Sequence, residues 1–118
     1  MFPAFSQTYQ ELSERAVAAT EQDSLSLAEK YIEQALKMEP ANPHNALLFS
    51  NLGTIQRWQH RYEQALDSYT LALNIAPRAI PALMNRAALY LELGKDDLAR
   101  IDYSLVRSEE HTSELQSR

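Results

Sequence analysis

NALLFSNLGTIQRWQHRYEQALDSYTLALNIAP, Asn45–Pro77, reads as two amphipathic helices folded into one hairpin. The first, about Ala46–Gln59, aligns Phe49, Leu52, Gly53 and Gln56 along one face. The second, about Tyr62–Asn74, aligns Ala65, Leu66, Tyr69, Ala72 and Leu73. Spacings of three and four are the helical period, so each set forms one apolar stripe. Gly53, Ala65 and Ala72 are small where the two helices would touch, which lets the backbones approach. Pro77 stops the second helix, because it supplies no amide donor and clashes with the preceding turn.

These residues resemble a tetratricopeptide repeat, a hairpin unit of about 34 residues with fixed small and aromatic positions and a closing proline. Here those positions hold Phe49, Leu52, Gly53, Tyr62, Ala65, Tyr69, Ala72 and Pro77. Two positions depart from the pattern. Gln56 stands where the family often has Tyr, and His60 stands where the turn often has Gly. A His can take the left-handed conformation at some cost.

Shifting by 34 residues tests the neighbours. Gly53 maps to Ala87, Gln56 to Tyr90, Ala65 to Ala99 and Tyr69 to Tyr103, while Gly94 falls at the turn. A backward step of 37 maps Gly53 to Ala16, Ala65 to Ala28, Ala72 to Ala35 and Pro77 to Pro40. The three extra residues fit the join PANPHN, Pro40–Asn45. This first copy is degenerate, with Ile32 in place of an aromatic and Leu25 where Tyr62 stands in the next copy. End repeats are commonly atypical because they cap the stack. The resemblance covers roughly residues 9–106 and implies a truncated, bacterial-type member of the family. The expected fold is all-α, a right-handed superhelical stack of three antiparallel helix hairpins. The expected repeats are residues 9–42, 46–79 and 80–106 of a single domain.

Composition agrees. The chain has 118 residues, 45% of them hydrophobic, and only two glycines. The net charge of −5 argues against a nucleic-acid footprint, which needs a basic face. With no cysteine there is neither a disulfide framework nor thiol chemistry. No apolar run approaches the ~20 residues that span a bilayer. MFPAFSQTYQEL lacks the basic start and apolar core of a secretory signal, so a cytoplasmic location is expected.

Local signals place the other helices. Pro3 disfavours helix at Phe2, and Met1–Phe5 reads as a lead-in. Thr8 with Glu11 reads as a capping box for a helix reaching about Glu21, with Leu12, Ala16 and Ala19 inward. Ser26 with Glu29 reads as a second capping box, for a helix ending near Met38. Asn45 is expected to cap the third helix. Pro81 suits the first turn of the fifth, which should reach about Leu93, with Gly94 as its C-terminal cap. Asp96 is expected to cap the sixth, running at least to Leu105.

The repeat register calls for a proline near position 111. The chain instead reads RSEEHTSELQS, Arg107–Ser117, then Arg118. This string resembles the in-frame translation of a common sequencing-adapter oligonucleotide. Residues 107–118 are therefore read as a non-native tail, and the natural protein as longer. The Glu and Gln in the tail are good helix formers and can extend the sixth helix.

No catalytic or cofactor pattern emerges. His44, His60 and His111 have no metal-type partner at helical spacing. The carboxylates fall mostly on outward faces or at caps, and Asp96–Asp97 opens a helix where negative charge is favourable. No serine sits in a nucleophile elbow, and Gly53 and Gly94 are isolated from any phosphate loop. Tyr62, Tyr69, Tyr90 and Tyr103 occupy packing positions. The expectation is a non-enzyme with no cofactor and no metal.

In the resembled family the first helices of successive repeats line a concave groove that holds a peptide or partner helix. Carried over by position, the groove of the second copy holds Leu47, Ser50, Asn51, Thr54, Arg57 and Trp58. The third copy contributes Pro81, Met84, Asn85, Ala88, Leu91 and Glu92. The first offers Gln10, Ser13, Val17, Thr20 and Glu21. Trp58 is either a binding anchor or packed on the neighbouring repeat. Asn51 and Asn85 either bind a peptide backbone or bond to the adjacent helix. Some family members clamp a chaperone's C-terminal carboxylate with Lys, Asn and Arg. Asn85 in NRAALY matches one clamp position, but Ser50 and Thr54 stand where Lys and Asn are wanted. Chaperone-tail binding is therefore not expected. Two functions follow from the resemblance. One is a scaffold that binds a protein or peptide partner, with no nucleic-acid or membrane partner. The other is an accessory or self-association domain of a longer enzyme or regulator.

Overall fold

The computed structural model describes residues 7–116, with side chains described through Glu110. The expected lead-in at Met1–Phe5, and the tail side chains from His111 onward, lie outside the described residues. The described residues form six helices: α1 (Tyr9–Glu21), α2 (Leu25–Met38), α3 (Asn45–Trp58), α4 (Tyr62–Ile75), α5 (Ile80–Glu92) and α6 (Asp96–Gln116). They pair in sequence as three antiparallel hairpins, and no strand occurs among the described residues.

The central hairpin closes as its small residues require. Ala65, Tyr69 and Ala72 are fully buried on α4, with Tyr69 against Gly53 of α3. Gly53 lies under the Tyr69 ring, and a methyl group added there would sit 2.6 Å from a ring carbon. The Tyr69 hydroxyl pairs with the Thr54 hydroxyl at 2.8 Å, which fixes the ring in place. Of the tyrosines expected in the core only Tyr69 is buried. Tyr62, Tyr90 and Tyr103 are half-buried, because each lies at the edge of its hairpin.

The core runs between hairpins as well as within them. Leu48, Leu52 and Ile55 of α3 join Leu12, Ala16, Ile32 and Ala35 of the first hairpin in one cluster. Ala72 and Leu73 of α4 pack with Ala82 and Leu83 of α5 and Val106 of α6. Each hairpin thus buries a face it could not bury alone, which is how a solenoid is stabilised.

Three corners turn the chain within the hairpins, and each places one residue in the left-handed region: Asp23 (φ 60°), His60 (φ 62°) and Gly94 (φ 74°). The hydrogen bonds repeat. Ser24 N–H donates to Ala19, Arg61 to Gln56 and Lys95 to Tyr90, each at 2.8 Å. This is the Schellman closure of a helix end, a position glycine fills without strain. Gly94 fits it, whereas His60 adopts it against the preference of an L side chain. His60→Gly should therefore stabilise the chain by about 0.5 kcal/mol, net of glycine's backbone entropy. The check is the urea midpoint at constant slope. A lower midpoint would mean that the His60–Tyr62 side-chain hydrogen bond (2.8 Å) outweighs the strain.

Several caps differ from expectation. Thr8 does cap α1, its hydroxyl accepting the Glu11 N–H at 3.1 Å. Ser26 does not cap α2. The Schellman corner delivers the chain directly into a helix beginning at Leu25, so Ser26 is already inside it. Glu29, its expected box partner, instead pairs with Arg61, the residue just before α4, at 2.8 Å. Asn45 is not a cap either. It is 1% exposed, accepts from the Tyr9 hydroxyl at 2.6 Å, and donates to the Glu39 carbonyl at 2.8 Å. It ties α1 to the join between α2 and α3. Asp96 is the first residue of α6 and not the one before it. The backbone of α6 continues through the tail to Gln116.

The third hairpin contains a buried ion pair. Arg86 of α5 binds Asp102 of α6 through two nitrogens, both at 2.8 Å, and Asp102 is 1% exposed. The bidentate bond to Asp102 is the main reason the Arg86 guanidinium titrates above its ordinary value.

Candidate functional site

Helices α1, α3 and α5 lie side by side, and clefts open along the face they share. One cleft of about 470 Å³ runs between α1 and α3, lined by Gln10, Ser13, Glu14, Val17, His44 and Leu47. A second, of about 210 Å³, lies further along the same two helices, with Val17, Glu21, Asn51, Thr54 and Trp58 on its walls. A third, of about 300 Å³, lies between the start of α3 and the start of α5, against Leu47, Ser50, Pro81 and Ala82. A fourth joins Arg57, Trp58 and Glu92 to the corner residues His60 and Tyr62.

The sequence-derived groove residues fall on this face in different states. Leu47, Met84, Leu91 and Trp58 are exposed, Trp58 at 55%. No core role holds Trp58; it stands between the second and fourth clefts. Asn51 and Asn85 are half-buried, and among the described residues no hydrogen bond engages either amide. Their donors and acceptors are thus available on the face. Ala88 is half-buried between its neighbours. Ser50 does not stand out on the surface. It is 5% exposed, at the floor of the third cleft, because the α5 N-terminus closes over it. Thr54 is half-buried and turned toward Tyr69, so its hydroxyl serves the hairpin first.

Arg57 and Glu92 form an ion pair that bridges α3 and α5 across the face. The hydrogen bonds that Arg57 donates to the Glu92 carboxylate are the main reason its guanidinium titrates above its ordinary value. The groove's cation is therefore already satisfied within the chain. Sequence reasoning missed Glu14, Tyr9 and His44, all of which line the first cleft. The 37-residue step that maps Ala16 to Gly53 also maps Glu14 to Asn51, so the signal for Glu14 was present. Tyr9 and His44 carried no periodic signal. They meet through the buried Asn45 junction, with ring centroids 6.0 Å apart. No group of His, Asp or Glu among the described residues could hold a metal ion. No described helix is long and apolar enough to cross a membrane.

This arrangement recurs in solved structures. A tetratricopeptide repeat protein from Parabacteroides merdae superposes with a TM-score of 0.83 at 43% identity, over 88% of this chain and 41% of that one. The chain is a tetratricopeptide-repeat solenoid. The first tetratricopeptide-repeat domain of Spaghetti (RPAP3), solved bound to the HSP90 peptide SRMEEVD, shares the fold with a TM-score of 0.80 at 23% identity, over 95% of this chain and 90% of that domain. Among curated proteins, mouse DnaJ homolog subfamily C member 7 is 30% identical over 97 residues, 81% of this solenoid and 20% of that protein. A Giardia intestinalis UDP-N-acetylglucosamine–peptide N-acetylglucosaminyltransferase is 32% identical over 89 residues, 75% of this solenoid and 6% of that protein. The tetratricopeptide-repeat solenoid thus spans a fifth or less of the curated relatives it matches. No protein-family profile matches the chain.

Proposed function

We propose that the chain is a non-catalytic scaffold that binds a peptide or helix of a partner protein along the face of α1, α3 and α5. The observation that carries this reading is Trp58, a 55%-exposed indole standing between two clefts, with Leu47, Met84 and Leu91 exposed on the same face. A soluble repeat gains nothing by leaving a tryptophan in water, whereas aromatic anchors in clefts dominate many interfaces. Asn51 and Asn85 supply amides for a peptide backbone. The peptide held by the Spaghetti domain supports the class of ligand. The ionic commitment of Arg57 to Glu92 argues against an acidic tail as the ligand here. The partner is neither nucleic acid nor membrane in this reading, and the setting is cytoplasmic.

The test is to pan a displayed peptide library against the chain and to measure the selected peptides by calorimetry. Trp58→Ala should weaken them about tenfold or more while the far-ultraviolet dichroism stays unchanged. Peptides indifferent to the substitution would sink the groove reading. A second reading is favoured by the small fraction of each curated relative that the chain spans: an accessory or self-association domain of a longer enzyme or regulator. In both readings residues 107–118 are a non-native tail, and resequencing the gene past Val106 separates the two. Further repeats there favour the scaffold, and a catalytic pattern favours the accessory domain.

A further inference from the structure

We infer that the cleft between Glu21 and Trp58 is a subsite for one lysine or arginine side chain of the partner, so that the groove selects basic amphipathic segments. The inference rests on the groove reading above and adds its specificity.

The cleft has an amphipathic build. Ala16, Val17, Ile32 and Ile55 give it an aliphatic floor, and Glu21 and Trp58 stand at its walls. A volume of about 210 Å³ suits a single long side chain and not a helix. Lysine and arginine carry an apolar stem behind a charged head, so the stem fits the aliphatic floor while the head reaches the polar wall. There a carboxylate offers charge-assisted hydrogen bonds, and the face of an indole attracts a cation. No other side-chain class satisfies all three surfaces.

The surrounding charges point the same way. Glu21, Trp58 and Glu92 occupy one repeat position on α1, α3 and α5. Glu92 is neutralised by Arg57, but among the described residues no ion pair engages Glu21. Two turns back on the same face of α1, Glu14 adds a second carboxylate beside Val17, in the adjoining cleft. The part of the face formed by α1 and α3 is therefore net acidic, and a partner carboxylate there would meet like charge.

The test uses the whole chain and a two-heptad amphipathic peptide of leucine and lysine, with counterparts in which every lysine is glutamine or glutamate. Binding is read by calorimetry and by the fluorescence of Trp58, the chain's single tryptophan. The lysine peptide should bind about fivefold or more tighter than the glutamine peptide, and the glutamate peptide more weakly still. Glu21→Gln should abolish the lysine preference, and Glu63→Gln, on the exposed start of α4, should leave it intact. Equal binding of the lysine and glutamine peptides, with both weakened by Trp58→Ala, would overturn the cation subsite and spare the groove. A loss of preference as large in Glu63→Gln as in Glu21→Gln would overturn it too, by reducing it to net charge. Peptide binding indifferent to Trp58→Ala would overturn the groove reading itself.

Discussion

Arg86→Ala should destabilise the chain by about 3–5 kcal/mol, the range for breaking a buried ion pair from one side. The magnitude follows from what is left behind. Asp102 is 1% exposed, and both its oxygens are held by the guanidinium. Without Arg86 the carboxylate is buried and unpaired. The guanidinium also reaches the Thr70 hydroxyl and lies 5.7 Å from the Tyr90 ring centroid, so α4 and α5 lose contacts as well. Asp102→Ala should cost less, because Arg86, with 18% of its side chain exposed, can turn its head toward water. Replacing both by apolar residues, Arg86→Met with Asp102→Leu, should recover most of the loss. Chemical denaturation of the parent chain, Arg86→Ala, Asp102→Ala and the Arg86→Ala, Asp102→Ala pair forms a double-variant cycle, against which the apolar pair is compared. A cost below about 1 kcal/mol for Arg86→Ala would place this pair among ordinary surface ion pairs and sink the argument.

Gly53→Ala sets two effects against each other. Inside a helix, alanine is favoured over glycine by about 1 kcal/mol. The new methyl would lie 2.6 and 2.7 Å from two carbons of the Tyr69 ring. That ring is fully buried, and its hydroxyl is held by Thr54, so it has no direction in which to retreat. The methyl must therefore push α3 from α4. Overpacking of this kind costs about 1–3 kcal/mol, and the sum should be a net loss despite the propensity gain. Gly53→Ala combined with Tyr69→Leu should lose less than the two separate losses summed, because the smaller side chain removes the clash. A rise in melting temperature for Gly53→Ala alone would show that the two helices have slack at this point.

The same pair explains what the sequence disclosed. Gly53, Ala65, Tyr69 and Ala72 could be placed in one contact because helical spacing fixes which side chains share a face, and small residues mark where two faces meet. The corners were legible for a similar reason: a left-handed position needs glycine or a tolerant polar residue, and the repeat step indicates where to look. Asn45 was misread because an asparagine before an apolar run has the local signature of a cap. Only the arrival of Tyr9, 36 residues earlier, shows it to be a buried junction. Ser26 and Glu29 failed likewise, since Arg61 claims the glutamate from the neighbouring hairpin. On the face of α1, α3 and α5, the exposure of Leu47, Met84 and Leu91 was legible by register, whereas Trp58 was left between a binding and a packing role until its 55% exposure decided it. The burial of Ser50 was not legible, for it depends on how closely the start of α5 approaches α3. The engagement of Arg57 with Glu92 was equally hidden, because charges on separate helices carry no periodic signature.

The Arg57–Glu92 bridge has a mechanical side. Its side chains are 26% and 43% exposed, so water and salt weaken it to the scale of a surface pair, under about 1 kcal/mol. Yet it spans two successive hairpins on the open face, where a change of separation would alter the curvature of the whole array. A lysine arriving beside Glu92 can take over that half of the bridge with little net cost. On the proposed reading of this face as a groove, the bridge is a weak catch between successive hairpins, and releasing it lets the width of the groove follow its occupant.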